Sequence, residues 1–120
     1  MKKLTLIIIF ALMSLSGFGQ LSHRAEQMKR VAPERFEQLV ESAKDKWGSD
    51  YQMQLFEVNK QSKAFMTIAI EITKSKEDPV KRQILTDAFV KWRVNETVVE
   101  WDMVLYEYNK QLEAYQTMGL

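Results

Sequence analysis

From Tyr51 the apolar positions recur as Tyr51, Leu55, Val58, Phe65, Ala69 and Ile72, with Ser62 filling one slot. A second series runs Val94, Val98, Trp101, Leu105, Tyr108, Leu112 and Tyr115. Both step by three and four residues, the spacing that keeps side chains on one side of an α-helix; a half-buried strand would alternate. Beyond residue 19 only Pro33, Gly48, Pro79 and Gly119 punctuate the chain. So few breakers favour long helices over many short strands, and the fold class read from the pattern is all-α.

End signals divide the pattern. Pro33 opens a helix whose inner face carries Phe36, Leu39, Val40, Ala43 and Trp47. Gly48 ends it, and Ser49 with Gln52 three residues on is a capping-box pattern for the next. The polar run 73–77 is the expected central loop. Asp78 before Pro79 is an N-cap followed by proline at the first helical position. Residues 22–31 form a short helical lead-in. Nothing from Val80 to Met118 is Pro or Gly. Residues 79–118 are therefore compatible with one helix or with two, the second capped by Asn95 with Thr97, Val98 and Val99 behind it.

Two segments repeat. Tyr51–Ile68 aligned without gaps on Trp101–Met118 gives eight identities in eighteen positions: Met53/Met103, Leu55/Leu105, Glu57/Glu107, Asn59/Asn109, Lys60/Lys110, Gln61/Gln111, Ala64/Ala114 and Thr67/Thr117. Shared helical composition would match apolar slots, not a polar string such as Asn-Lys-Gln. Ala43, Lys46 and Trp47 recur as Ala88, Lys91 and Trp92 at an offset of 45 instead of 50. The second copy therefore has a longer join between its helices, which favours a break near Asn95. The expected architecture is an antiparallel four-helix bundle, short–long–short–long, made of a duplicated helical hairpin with repeats at about 33–72 and 79–118. One hairpin cannot bury its stripe alone, so the two pack face to face with approximate two-fold symmetry.

The N-terminus reads differently. Met1-Lys2-Lys3 precedes an apolar run from Leu4 to Leu15, then Ser16-Gly17-Phe18-Gly19. That is a basic region, an apolar region of signal-peptide length and small residues at −3 and −1 of a cut after Gly19. The run is shorter than the about 20 residues a membrane-spanning helix needs. Residues 1–19 are expected to be a cleaved signal peptide of bacterial type, and 20–120 a single helical domain, periplasmic or secreted, with no stable membrane anchor after cleavage.

Removing Lys2 and Lys3 leaves 15 basic against 16 acidic residues, 15 − 16 = −1. Near-neutrality without a basic face argues against a nucleic-acid partner. With no Cys there is no disulfide framework, thiol catalysis or thiolate metal site. A single His excludes the di-metal carboxylate bundles, which need Glu-x-x-His on two helices. No Gly-rich phosphate loop is present.

The sharpest polar candidate is the repeated string Glu57, Asn59, Lys60, Gln61 and Glu107, Asn109, Lys110, Gln111. Paired carboxylates facing across the pseudo-axis would suit a metal or acid–base work. The helical stripe instead turns Glu57 and Lys60 outward, making Glu57–Lys60 and Glu107–Lys110 simple i, i+3 ion pairs. Phe56, Met66 and Ile70 widen the apolar face of the second helix, and Tyr106 is the equivalent of Phe56. These four are the expected interaction surface. Size, export signal and bundle class resemble the exported four-helix b-type cytochromes, as do the two ligand types His23 and Met118. That resemblance implies a haem with a His23/Met118 axial pair at one end of the bundle. The leading expectation is an exported, non-enzymatic module with no cofactor, metal or catalytic residue, binding a protein partner or itself. The alternative is a carrier of haem, lipid or metal in the bundle interior, where Ser62 is the clear polar interruption.

Overall fold

The computed structural model describes residues 19–119; the expected signal peptide falls almost wholly outside them. Within them the chain is all-helical: α1 His23–Val31, α2 Pro33–Trp47, α3 Tyr51–Ser75, α4 Pro79–Trp92 and α5 Trp101–Thr117. No helix among the described residues is long and apolar enough to cross a membrane.

Local chemistry sets the boundaries. Ser22 caps α1 by accepting from the Ala25 N–H at 3.1 Å. Pro33 and Pro79 sit in the first turns of α2 and α4, where a missing N–H costs nothing. Asp78 accepts from the N–H groups of Val80 and Lys81 at 3.0 and 3.1 Å. The cap of α3 is Asp50, accepting from Met53 at 3.1 Å, and not the Ser49 expected from the capping-box pattern. Gly48 turns the chain with φ +55° and ψ −125°, a conformation nearly closed to other residues.

Residues 79–118 are two helices. Between them Asn95 closes a tight turn: its Oδ1 accepts from the N–H groups of Thr97 and Val98 and from the Thr97 hydroxyl at 2.9–3.0 Å. Asn95 therefore caps a turn, not the helix expected to start there. That helix starts at Trp101, and its N-cap residue Glu100 makes no side-chain cap.

The core is divided by α3. On one side it packs with α1 and α2 around Ala25, Met28, Phe36, Leu39, Ala43, Val58 and Met66. On the other it packs with α4 and α5 around Ala64, Ile68, Ala88, Val99, Trp101, Val104 and Tyr108. Phe65 touches both clusters and meets Trp101 edge-on at 5.0 Å between ring centroids. From α2, Arg35 reaches α5, its guanidinium 5.7 Å from the Trp101 ring centroid.

The two long helices run in the same direction but are displaced. Gln61 lies opposite Asp102, Ile68 and Ile72 share a groove wall with Val104, and Ser75 lies beside Tyr108. The expected two-fold axis, with equivalent residues as mates, is therefore not what forms. Gln61 meets Asp102, and Gln111 is exposed.

Candidate functional site

The densest polar cluster is centred on Gln61, which is 1% exposed. Its Nε2 donates to Glu57 Oε2 at 2.8 Å, Asp102 Oδ1 at 2.8 Å and Glu100 Oε2 at 3.2 Å. Its Oε1 accepts from the Asp102 backbone N–H at 3.0 Å. The first N–H groups of a helix have no partner within the helix. Here α5, uncapped by its own Glu100, has one of them satisfied by an amide from α3.

Glu57 is buried, contrary to the outward position expected from the stripe. Its Oε1 accepts from Lys46 Nζ at 3.2 Å and Trp47 Nε1 at 3.3 Å. Lys60 Nζ lies 3.7 Å from the same oxygen and 3.4 Å from Asp102 Oδ2. Burial alone would raise the pKa of Glu57. The hydrogen bonds from Gln61, Trp47 and Lys46 and the charge of Lys60 outweigh it, so the carboxyl is held below its ordinary value. Burial likewise pulls Lys46 down, but its bond to Glu57 and the charges of Glu57, Glu100 and Asp102 leave it raised. A carboxylate held ionised, with both oxygens engaged by donors, is poorly placed to take up a proton near neutrality. This arrangement ties α2, α3 and the start of α5 together.

Glu107 does not meet Glu57. It pairs with Lys91, and that bond holds its carboxyl below the ordinary range against a smaller opposing effect of desolvation. Lys46–Glu57 and Lys91–Glu107 are thus the same contact in two places. Each joins the lysine before a helix-ending tryptophan to the seventh residue of the next helix. The indoles differ: Trp47 donates to Glu57, whereas the buried Trp92 Nε1 has no partner. Two matches at different offsets, Lys-Trp and Glu, signalled this pair in the sequence. Nothing marked Glu100 or Asp102 as its neighbours.

The other candidates separate. Asn59 accepts from the Ser22 N–H at 2.9 Å, fixing the start of α1. Asn109, Lys110 and Gln111 are exposed. Phe56 and Tyr106 are 58% and 55% exposed, each with a lysine one turn on, Lys60 at 5.8 Å and Lys110 at 5.4 Å from the ring centroid. Ile70 is half-buried, and Met66, expected on the interaction surface, is 4% exposed inside the first core cluster. Ser62 is fully buried with its Oγ unpaired, and it lines none of the grooves described below.

His23 and Met118 are both exposed. His23 lies beside Asn59, whereas the second half of α5 runs on past Ser75, sixteen residues or about 24 Å further along α3. The axial pair implied by the resemblance to b-type cytochromes therefore does not form. Among the described residues no group of three or more His, Asp or Glu is arranged to hold a metal ion.

Among the described residues several grooves cross the surface, three of which bear on the candidates above. An acidic one of about 420 Å³ runs along Glu34, Glu37, Glu41 and Asp45 of α2 to Thr97 and Val98. A second, about 400 Å³, places the Phe56 ring among His23, Arg24, Lys60 and Lys63. A third, about 290 Å³ and almost wholly apolar, opens between α3 and α4 over Ile68, Ile72, Leu85, Phe89, Trp101 and Val104. Comparison with protein-family models, curated proteins and solved structures gives no match.

Proposed function

We propose that the mature chain is an exported, non-enzymatic helical module that binds protein, either a partner or itself. It is built from a duplicated hairpin whose two copies stack with a shift along α3. The helix boundaries support the duplication. Pro33 and Pro79 open the short helices, Trp47 and Trp92 close them, and Tyr51 and Trp101 open the long ones. The joins are three residues (48–50) and eight (93–100), the difference of five that separates the two sequence offsets.

The observation that carries the binding role is the matched exposure of Phe56 and Tyr106. Two aromatic rings at equivalent positions lie open, each beside a lysine, where a helix surface is ordinarily polar. Aromatic residues of this kind anchor protein interfaces because they bury a large area at little entropic cost. The envelope of a cell, or the space beyond it, is the setting implied by the N-terminal reading.

The test is a native mass spectrum of the protein expressed with its own leader and purified from the envelope fraction. A complex beginning at Gln20, lost in the double variant Phe56→Asp/Tyr106→Asp, supports the reading. A lone monomer with no added mass, unchanged by the double variant, refutes it. A carrier role is the second reading. It is favoured by the groove where Phe56 lies among Arg24, Lys60 and Lys63, and a monomer carrying the mass of an anionic lipid would replace the first reading with it.

A further inference from the structure

The joint between α3 and α5 buries residues whose counterparts in the other repeat lie exposed. On the α3 side Gln61, Ala64 and Ile68 are 1%, 4% and 4% exposed. Fifty residues on, Gln111, Ala114 and Met118 are all exposed, Met118 by 64%. On the α5 side Trp101 is 8% exposed, and its counterpart Tyr51 is 75% exposed. The chain thus presents one unused copy of each half of its own internal joint, at opposite ends of the molecule.

We propose that the chain assembles head to tail with further copies of itself, the end of α5 in one copy docking on the Tyr51 end of α3 in the next, as α3 docks on α5 within the chain. This rests on the duplication and self-binding just proposed.

The lengths fit. Inside the chain, α3 passes α5 from Gln61 opposite Asp102 to Ser75 beside Tyr108. Shifted by fifty, Gln111 of one copy comes opposite Gln52 of the next. Helix α5 stops at Thr117, whose counterpart Thr67 is eight residues short of the end of α3. On the receiving copy the rest of that track is already taken. Helix α1, nine residues long, begins where Ser22 donates to Asn59 and covers Val58, the counterpart of Tyr108, with Ala25 and Met28. The incoming α5 and the resident α1 would lie end to end on one α3. The near-zero net charge of the mature chain offers little long-range repulsion to such stacking.

A head-to-tail joint regenerates a free end with every addition, so it grows into a series or closes into a ring instead of stopping at two by self-complementarity. The test is sedimentation velocity of the purified mature chain across a wide concentration range, beside Tyr51→Glu and Met118→Glu. Both positions are exposed, so circular dichroism and melting should be unchanged. Wild type should form dimers and larger species as concentration rises. Each variant alone should stay monomeric. Their equimolar mixture should give a dimer and nothing larger, because one intact tail meets one intact head and the other two ends carry like charges. A wild type that remains monomeric, one that stops at a dimer, or a mixture that fails to pair would overturn the proposal. In the first case a heterologous complex still lost in the Phe56/Tyr106 double variant would leave the binding role standing without self-assembly.

Discussion

Replacing Gln61 by Met keeps the length and most of the volume of the side chain but removes every hydrogen bond it makes. The buried Glu57 carboxylate loses its Oε2 donor, and hydrogen bonds to a charged group contribute about 1.5–3 kcal/mol. The Asp102 N–H at the start of α5 loses its acceptor, at a cost of about 1 kcal/mol where water has partial access. Asp102 and Glu100 lose a donor as well, but both are partly exposed and are resolvated. The added apolar burial of Met returns less than about 1 kcal/mol. The expected net loss is about 2–4 kcal/mol, a large part of the stability of a domain near 100 residues. The assay is urea unfolding of residues 20–120 followed by tryptophan fluorescence, with Gln111→Met as control. Gln111 is exposed, so its replacement should change stability by less than about 0.5 kcal/mol. If Gln61→Met costs no more than Gln111→Met, the cluster contributes nothing to folding and the reasoning fails.

Met28→Ala should cost about 2–5 kcal/mol in the same assay, since Met28 is fully buried in the first cluster; a loss below about 1 kcal/mol would mean that α1 is not an integral part of the fold. Gly48→Ala should lower the melting temperature through a backbone strain of about 1–3 kcal/mol, because φ +55° with ψ −125° is open almost only to glycine, although an added Cβ would meet no atom. Glu57 is held below its ordinary value, so its contribution is fully present above that value and is lost as pH falls through the folded one. Wild type should therefore lose stability on acidification below the usual carboxylate range, and Glu57→Gln, weaker at neutral pH, should lose less over that interval. Parallel acid curves for the two proteins would contradict this.

The helices and their proline starts were legible in the sequence because each is set by residues within one turn of the boundary. The cap at Asp50 was not, since Ser49 and Asp50 are adjacent capping residues and only the path of the turn chooses between them. Glu57 was misplaced for a different reason. A helix packed on one side buries one stripe, but α3 carries α1, α2 and α5 around it and buries Glu57, Val58, Gln61, Ser62, Ala64, Met66 and Ile68. Of these, only Val58 and Ser62 belong to the single stripe that periodicity picks out. The displacement of the hairpins was also beyond the pattern, because a repeat fixes the unit and leaves open whether copies are related by rotation or by translation.

What sets that displacement is the polar end of the joint. Phe65, Ile68, Trp101 and Val104 supply apolar area, and an apolar interface of two helices tolerates sliding by a turn. Sliding here would part Gln61 from Glu100 and Asp102 and Lys60 from Asp102, leaving a helix N–H without its partner, so the polar contact specifies register while the apolar one holds the helices together. On the proposed duplication, the second copy retains the same means at Gln111, and the counterparts of Asp102 and Glu100 are Gln52 and Asp50, both able to accept from its amide. The same residue type would then have two roles in one chain, Gln61 within the fold and Gln111 between copies. Gln111→Met should accordingly leave unfolding untouched and weaken or blur assembly, whereas Gln61→Met should destabilise the fold itself. If Gln111→Met assembles as well as wild type, with particles of the same spacing by electron microscopy, register between copies is set by something other than this amide.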